Sequence, residues 1–534
     1  MARVADPPLG GRSHRPVRAE ARTHLFLGTM LIRDGDFEAG FPGFVVDYRA
    51  HPGGWTVRLF DQNPNFQLEL SSEAMRRMVD QAMERIVAYV GSFSSQPASD
   101  VAGGADLART VMEPLPEQGS DYEALLELLF EKYFPKSYNS AGPGYLAYIP
   151  GGGIFHAAVA DLISDAANRY VGVWAAAPAA AQIEAVVARW FSQIVGYPPA
   201  ARGLITTGGS MANFTAIVTA RRERLPADFL KGIIYSSDQV HHSVLKAAIL
   251  AGFPEDNVRQ IPSDDKFRIR LNSLHDAVAD DRRNGWTPFL VVGNAGTTNT
   301  GAVDDLNALA DVACQEELWL HLDGAYGAFF MLTERGRRAM RGIERSDSLT
   351  LDPHKALFLP YGTGSLLVRD GDALRRAHAV NAHYMPPMQE DPDFVDLCQY
   401  SPELTRSFRA LRVWLPFKMA GIAPFRANLE EKLDLTEWAT DELKTIPGIE
   451  IVAEPQLTVV AFRLKPPGSD LSKLNDVNHK LIEEINARQR VLLTGTVLNG
   501  MFVIRICILS FRTHKDRVQA CLEDIRSSVA EIVG

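Results

Sequence analysis

Between residues 200 and 370, short apolar runs alternate with helical ones. RGLITTGG precedes MANFTAIVTARRERL, GIIYSS precedes HHSVLKAAILAG, and PFLVVGNAG precedes DDLNALADVACQEE. LWLHLDGAY, SDSLTLDPHK and GSLLVRD follow. This β-then-α order predicts an α/β fold with a mostly parallel sheet covered by helices. Ligands on such sheets bind where strands end and loops or helix N-termini begin. A length of 534 residues allows about two to four domains and a sizeable core without disulfides or a structural metal.

The flanking regions read differently. Residues 23–70 mix β-like runs (FVVDY, WTVRLF) with turn residues. From Ser71, Met75, Met78, Ala82, Ile86 and Val90 recur at helical spacing behind a Ser cap. A loop rich in Ser, Gly and Ala follows at 91–105, and a helix is predicted from Asp121 to just before Pro135. Beyond residue 405, helical stretches (LTRSFRALRVWLPFKMAG, APFRANLEEKLDLTEWATDELK) precede strand-like TVVAFRL and MFVIRICILSF and a last helix. That pattern predicts a smaller α+β domain. The expected divisions are an arm and extension over 1–60, a segment over 61–153, a large domain over 154–412 and a small domain over 413–534.

Composition excludes several classes of function. Lys plus Arg number 55 against 65 Asp plus Glu, a net charge of −10. Nucleic-acid binding, which needs an excess of cations, is therefore not expected. No apolar stretch approaches the ~18 residues of a membrane span. Cys314, Cys398, Cys507 and Cys521 lie far apart and form no CxxC, so neither a metal site nor a disulfide framework is predicted, and free thiols in a reducing cytoplasm are. Residues 1–22 carry Arg3, Arg12, Arg15, Arg18 and Arg22 with Pro7, Pro8, Gly10 and Gly11 but no apolar core. A flexible arm is expected there rather than a secretory signal.

Five features carry chemistry. Lys355 in LDPHKALF follows an apolar run and a turn; a desolvated amine has a lowered pKa and forms a Schiff base with an aldehyde. Asp323 ends the apolar strand LWLHLD, a costly place for a carboxylate unless a cationic partner such as a protonated pyridine waits there. TTGGSMAN at 206–213 is a strand end, a Gly-Gly-Ser turn and a helix start, suited to a phosphate but lacking the Lys of a Walker loop. His241 in SSDQVHHSVLKAA stands at another strand-to-helix junction, and a flat imidazole can stack on a ring. Thr297, Thr298 and Asp304 lie at the exit of FLVVGNA. An aldehyde-capturing lysine, a pyridine-facing carboxylate, a phosphate-cradling turn and a stacking histidine together describe a site for pyridoxal 5'-phosphate.

With HLDGAY and DPHK in this order, the chain from about residue 70 onward resembles the group II pyridoxal-phosphate amino-acid decarboxylases. That family includes the aromatic-L-amino-acid, histidine and glutamate decarboxylases. The resemblance implies the type I pyridoxal-phosphate fold and a homodimer with shared active sites, with residues 61–153 as a dimerisation segment. It implies that Lys355 holds the cofactor and Asp323 pairs with the pyridinium. His241, favoured over His242, stacks on the ring. Gly209, Ser210 and His354 bind or position the phosphate, Thr298 and Ala325 contact the ring, and Asp304 stands behind them. Asp352, where animal relatives often carry Asn, is expected to point away from the phosphate. Tyr384, in the Pro-rich stretch NAHYMPPMQEDPDF at 381–394, corresponds to the family's proton donor. Tyrosine there favours amine formation, whereas relatives with phenylalanine tend to make aldehydes.

The family's side-chain pocket resembles 142–155 and 170–178, placing Tyr148, Ile149, Gly151 and Val173 around the substrate. These stretches hold no Arg or Lys to meet a side-chain carboxylate. They carry fewer phenylalanines than the aromatic decarboxylases. The expectation is a hydrophobic L-amino acid, methionine or branched-chain first and aromatic second. An aminotransferase or a non-catalytic fold relative is the alternative from another class. The DPHK context and the Tyr384 loop suit an aminotransferase poorly, and a non-catalytic relative would be expected to lack Lys355 or Asp323.

Overall fold

A computed structural model describes residues 68–533 except 381, 392 and 469, together with the backbone of three earlier strands. The arm expected over 1–22 lies outside the described residues. The chain forms two compact units, Met1–Glu84 and Arg85–Gly534. In the first, β1 (Met30–Ile32), β2 (Phe44–His51) and β3 (Gly54–Asp61) make an antiparallel sheet of order β1-β3-β2. The FVVDY and WTVRLF runs are β2 and β3. The helix predicted from Ser71 runs Ser72–Gly91, with Ser71 Oγ accepting from the Ala74 N–H at 3.2 Å.

The second unit is built on a seven-stranded sheet. Its strands are β4 (Arg202–Thr206), β5 (Gly232–Ser237), β6 (Val258–Ile261), β7 (Thr287–Asn294), β8 (Trp319–Asp323), β9 (Ser348–Leu351) and β10 (Gly364–Val368). The order is β4-β10-β9-β8-β7-β5-β6. Only β10 is reversed, pairing antiparallel with β4 and β9; the pairs β5–β6, β5–β7, β7–β8 and β8–β9 are parallel. Helices cover both faces, so β5, β8 and β9 are buried at every residue. Along β7 the alternation splits the core: Leu290 and Val292 pack with Ala212, Ala216 and Val244. Val291 packs on the opposite side with Leu309 and Phe329. Each such side chain, fully buried, contributes about 1.5–3 kcal/mol.

Edge strand β4 is closed by side chains rather than by another strand. The Ile205 N–H donates to Glu184 Oε1 at 2.9 Å, and the Ile205 carbonyl accepts from Arg406 Nη2 at 2.5 Å. Glu184 and Arg406 themselves approach within 2.8 Å with both side chains sealed from solvent. The strand leading into the Gly-Gly-Ser turn is thereby fixed by a buried ion pair.

The C-terminal part is α+β. Strands β11 (Ile449–Ala453), β12 (Val459–Leu464), β13 (Thr494–Leu498) and β14 (Met501–Cys507) form an antiparallel sheet of order β11-β12-β14-β13. Helices Ala423–Lys444, Leu474–Ala487 and Lys515–Val533 contribute to its core. Two predicted helices differ in detail. The run after Asp121 is an α-helix over Tyr122–Glu127 that widens into a π-helix over Leu128–Tyr133. LTRSFRALRVWLPFKMAG is helical only over Leu411–Ala420; ahead of it, Arg406 pairs with Glu184 and Arg409 with Glu403.

Candidate active site

The ends of β4, β5, β7, β8 and β9 meet at one cavity of about 270 Å³. After β4, the Thr207–Gly208–Gly209–Ser210 turn runs straight into helix Gly209–Arg224. A Cβ on Gly209 would come within 2.9 Å of Asp352 Oδ2 and 3.3 Å of the Ala325 Cβ, so glycine lets the backbone close over the cavity. The first N–H groups of this helix have no intrahelical acceptor and form an anion cradle. After β5 comes His241, and after β7 come Gly296, Thr297 and Thr298. The Thr298 carbonyl accepts from Arg505 of β14, whose Nε also donates to the Asn299 carbonyl at 2.8 Å.

Asp323 ends β8 with both carboxylate oxygens held: Oδ1 accepts from the Ala325 N–H at 3.1 Å and Oδ2 from Asn213 Nδ2 at 3.0 Å. After β9, Lys355 and His354 enter on the short helix Pro353–Ala356. His354 Nδ1–H donates to the Thr363 carbonyl at 2.7 Å, leaving Nε2 toward the cavity side, 3.8 Å from Asp352 Oδ2. Lys355 Nζ lies 3.0 Å from Asp352 Oδ2.

Two expectations are corrected here. Asp352 does not point away: it lines the cavity, and its Oδ1 is buried without a hydrogen-bond partner. Nor is the Lys355 amine lowered. Burial pulls it down, but Asp352 and Asp323 outweigh that effect and hold it above its ordinary value. His241 is shifted down, chiefly by burial, with Asp323 opposing, so its ring is neutral near pH 7. Asp304 stands behind the cavity: its Oδ1 accepts from the Ile269 N–H at 2.7 Å and its Oδ2 from the Asn294 N–H at 2.7 Å. Burial pushes its carboxyl up to about 6 against these hydrogen bonds.

Of the site residues read from sequence, Lys355, Asp323, His241, Gly209, Ser210, Thr298, Ala325 and His354 line this cavity. Tyr148, Ile149, Gly151, Val173 and Tyr384 do not line it within one chain. Tyr148 is half exposed, Ile149 and Val173 are packed in the interior, and Tyr384 is 78 % exposed. Gly151 faces the His354 carbonyl so closely that a Cβ would collide with it. Reading the sequence missed Asn213, Ser243 and Asn294, which also line the cavity. The available signal for Asn213 was its place among Ala212, Ala216 and Ala220, an otherwise apolar face of the helix.

The residues fit pyridoxal phosphate. An amine for its aldehyde, a carboxylate for its ring nitrogen, a flat neutral imidazole and a glycine-lined helix N-terminus for its phosphate share one cavity. The fold and this cavity define a pyridoxal-phosphate-dependent enzyme of the type I fold. More narrowly, the chain belongs to the pyridoxal-dependent decarboxylase family, whose conserved domain matches residues 106–465. It is 37 % identical over 469 residues to an aromatic-L-amino-acid decarboxylase of Bacillus atrophaeus, covering 87 % of this chain and 97 % of that one. Identity to the aromatic-L-amino-acid decarboxylase of Catharanthus roseus is 28 %, covering 84 % and 92 % of the two chains. Among solved structures, Oryza sativa TDC with pyridoxal phosphate and tryptamine superposes with a TM-score of 0.84 at 26 % identity, over 88 % of this chain and 100 % of that one. The protein is thus a pyridoxal-phosphate-dependent amino-acid decarboxylase.

Proposed function

We propose that the enzyme removes the α-carboxyl group of a hydrophobic L-amino acid, releasing the amine and CO2, with an aromatic side chain as the first reading. The carrying observation is the convergence of Lys355, Asp323 and His241 on one cavity beside the Gly209–Ser210 turn. The relatives named above act on aromatic amino acids, which supports the order of substrates. The sequence-based preference for methionine or a branched-chain residue rested on Tyr148, Ile149, Gly151 and Val173, which stand outside the single-chain cavity, so it becomes the second reading.

Pyridoxal phosphate, when bound, supplies the electron sink for the pair left behind by departing CO2. Lys355 would hold the cofactor's aldehyde through its side-chain amine. Asp323, fixed by two donors, keeps a proton at the pyridine nitrogen. His241 would face the ring, and Gly209 and Ser210 would bind the phosphate at the helix N-terminus, with His354 beside them. Thr298 and Ala325 border the ring. Tyr384 is the proposed proton donor to Cα; its exposure means that its stretch must fold over a cavity mouth, its own or that of a second copy.

A homodimer with shared sites is part of this reading. Helix Phe155–Ala167 exposes Phe155, Leu162 and Ile163 on one face, and Met112 and Leu115 are more than four-fifths exposed, as expected of surface that a partner covers. The four cysteines are unpaired, which suits the reducing cytoplasm.

The test is release of CO2 and amine from a panel of L-amino acids with added pyridoxal phosphate. Amine from tryptophan, tyrosine or phenylalanine supports the first reading, and amine from methionine or valine alone supports the second. Keto-acid formation with an acceptor keto acid would overturn decarboxylation as the principal reaction. Tyr384→Phe is expected to divert product toward aldehyde and hydrogen peroxide.

A further inference from the structure

From the sheet interior to the cavity wall, hydrogen bonds link residues of two strands and two helices. Trp319 Nε1–H donates to Ser348 Oγ at 2.8 Å. The Ser348 hydroxyl then lies 2.8 Å from His321 Nδ1, and His321 Nε2 lies 3.0 Å from Asn213 Oδ1. The Thr350 hydroxyl donates to the same Oδ1 at 2.7 Å. On its other side the Asn213 amide donates to Asp323 Oδ2 at 3.0 Å and to Ser243 Oγ at 2.9 Å. Ser243 Oγ lies 2.7 Å from His241 Nδ1.

These partners assign the protons. The Asp323 carboxylate takes the Asn213 N–H, which turns the accepting Oδ1 toward His321 Nε2; the His321 proton therefore sits on Nε2, and Nδ1 accepts the Ser348 hydroxyl hydrogen. Burial holds His321 well below the ordinary histidine range, so the ring is neutral and its tautomer single. With Oδ1 taking two donors, the Asn213 amide can present only its N–H groups to Asp323 and Ser243. Ser243 Oγ accepts there, and because the Ser243 backbone N–H also donates to His241 Nδ1 at 3.3 Å, that nitrogen is an acceptor and takes the Ser243 hydroxyl hydrogen. The His241 proton is left on Nε2.

We propose that Asn213 is the positioning residue that couples the two groups facing the cofactor ring: one side-chain amide orients the Asp323 carboxylate and, through Ser243, fixes the tautomer of His241. Asn213, Ser243 and His321 are buried, where a hydrogen bond is stronger than in water and an unpaired polar group is costly. This rests on the reading that Asp323 and His241 face the ring, and it assigns Asn213 a role exerted through those two groups.

The experiment loads the full-length enzyme and the variants Asn213→Ala, Ser243→Ala and Asp323→Asn with pyridoxal phosphate. Cofactor affinity is read by fluorescence titration, the visible absorbance of the bound cofactor is followed against pH, and kcat/KM is profiled against pH. Asn213→Ala is expected to weaken cofactor binding about tenfold or more, as for a lost hydrogen bond to a charged group. It should also move the pH at which the visible band changes by about one unit or more. Ser243→Ala should leave affinity within about twofold yet alter the acid limb of the kcat/KM profile, because only the branch to His241 is cut. If Asp323→Asn perturbs the band while Asn213→Ala leaves affinity, band and pH profile as in the wild type, the coupling is refuted and the site reading stands. If Asp323→Asn itself binds cofactor with an unchanged band, the site reading fails instead. Should Asn213→Ala fail to fold by circular dichroism, Thr350→Val releases the amide from one of its two anchoring donors. A shift of the band in the same direction then supports the coupling, and none refutes it.

Discussion

Asp352→Asn probes how the cavity handles charge before the cofactor arrives. Asp352 Oδ2 is 3.0 Å from Lys355 Nζ, with side-chain exposures of 3 % and 21 %. At that distance a unit-charge pair is worth about 5–6 kcal/mol at an effective dielectric constant near 20, and the desolvation of two ions offsets much of it. The balance still favours the ammonium form, because Asp352 and Asp323 outweigh the burial that pulls the amine down. An opposite charge in direct contact shifts a pKa by about 1–3 units, so the substitution lowers the Lys355 amine by that range. Only the neutral amine attacks an aldehyde, and each unit raises its fraction at neutral pH about tenfold. The assay mixes cofactor-free protein with pyridoxal phosphate and follows the visible absorbance in time from about pH 6.5 to 9, where the wild-type rate should climb about tenfold per unit. The variant should capture cofactor about 10–1000-fold faster at neutral pH and level off at its lower pKa. A folded variant that captures cofactor no faster, with the wild-type pH slope, would refute the counter-ion reasoning.

Other expectations concern stability. Arg406→Met strands the Glu184 charge that lies 2.8 Å from it in a sealed site. The contact is coulombic more than a well-angled hydrogen bond, since Arg406 Nη1 has no aligned acceptor, and urea unfolding should show a loss of about 3–5 kcal/mol. Adding Glu184→Leu should recover much of that loss. His378, 3.1 Å from the Thr219 hydroxyl, is pushed down to about 4, mainly by burial. A depressed folded-state pKa contributes stability that is present above the unfolded value near 6.5 and lost as pH falls toward 4, at about 1.4 kcal/mol per unit. Urea midpoints compared at pH 7 and about pH 5 should show this slope reduced by one proton in His378→Gln.

What the sequence makes legible follows from where burial is symmetric. GIIYSS, FLVVG and LWLHLD are readable as strands because both of their faces are covered, so hydrophobicity is continuous and a charge at the end, such as Asp323, is an anomaly that demands a partner. Strand β6 escapes notice because VRQI is short, at an edge and only partly buried. The reversal of β10 leaves no trace either, since an apolar run reads alike in both directions. The same logic separates the two halves of the site. Lys355, Asp323 and the Gly-Gly-Ser turn stand out locally, while Asn213 is an ordinary helix residue whose meaning lies in a carboxylate 110 positions away. Asp352 shows why motif and geometry must be weighed together. A carboxylate beside an anion cradle looks like a misfit that should turn outward, yet the amine three residues later gives it a reason to face in. The cavity therefore pairs its one lysine with Asp352 and Asp323, and the phosphate of the cofactor must enter against that charge. Capture then depends on breaking the Asp352–Lys355 pair, which ties loading of the enzyme to the same amine that carries its chemistry.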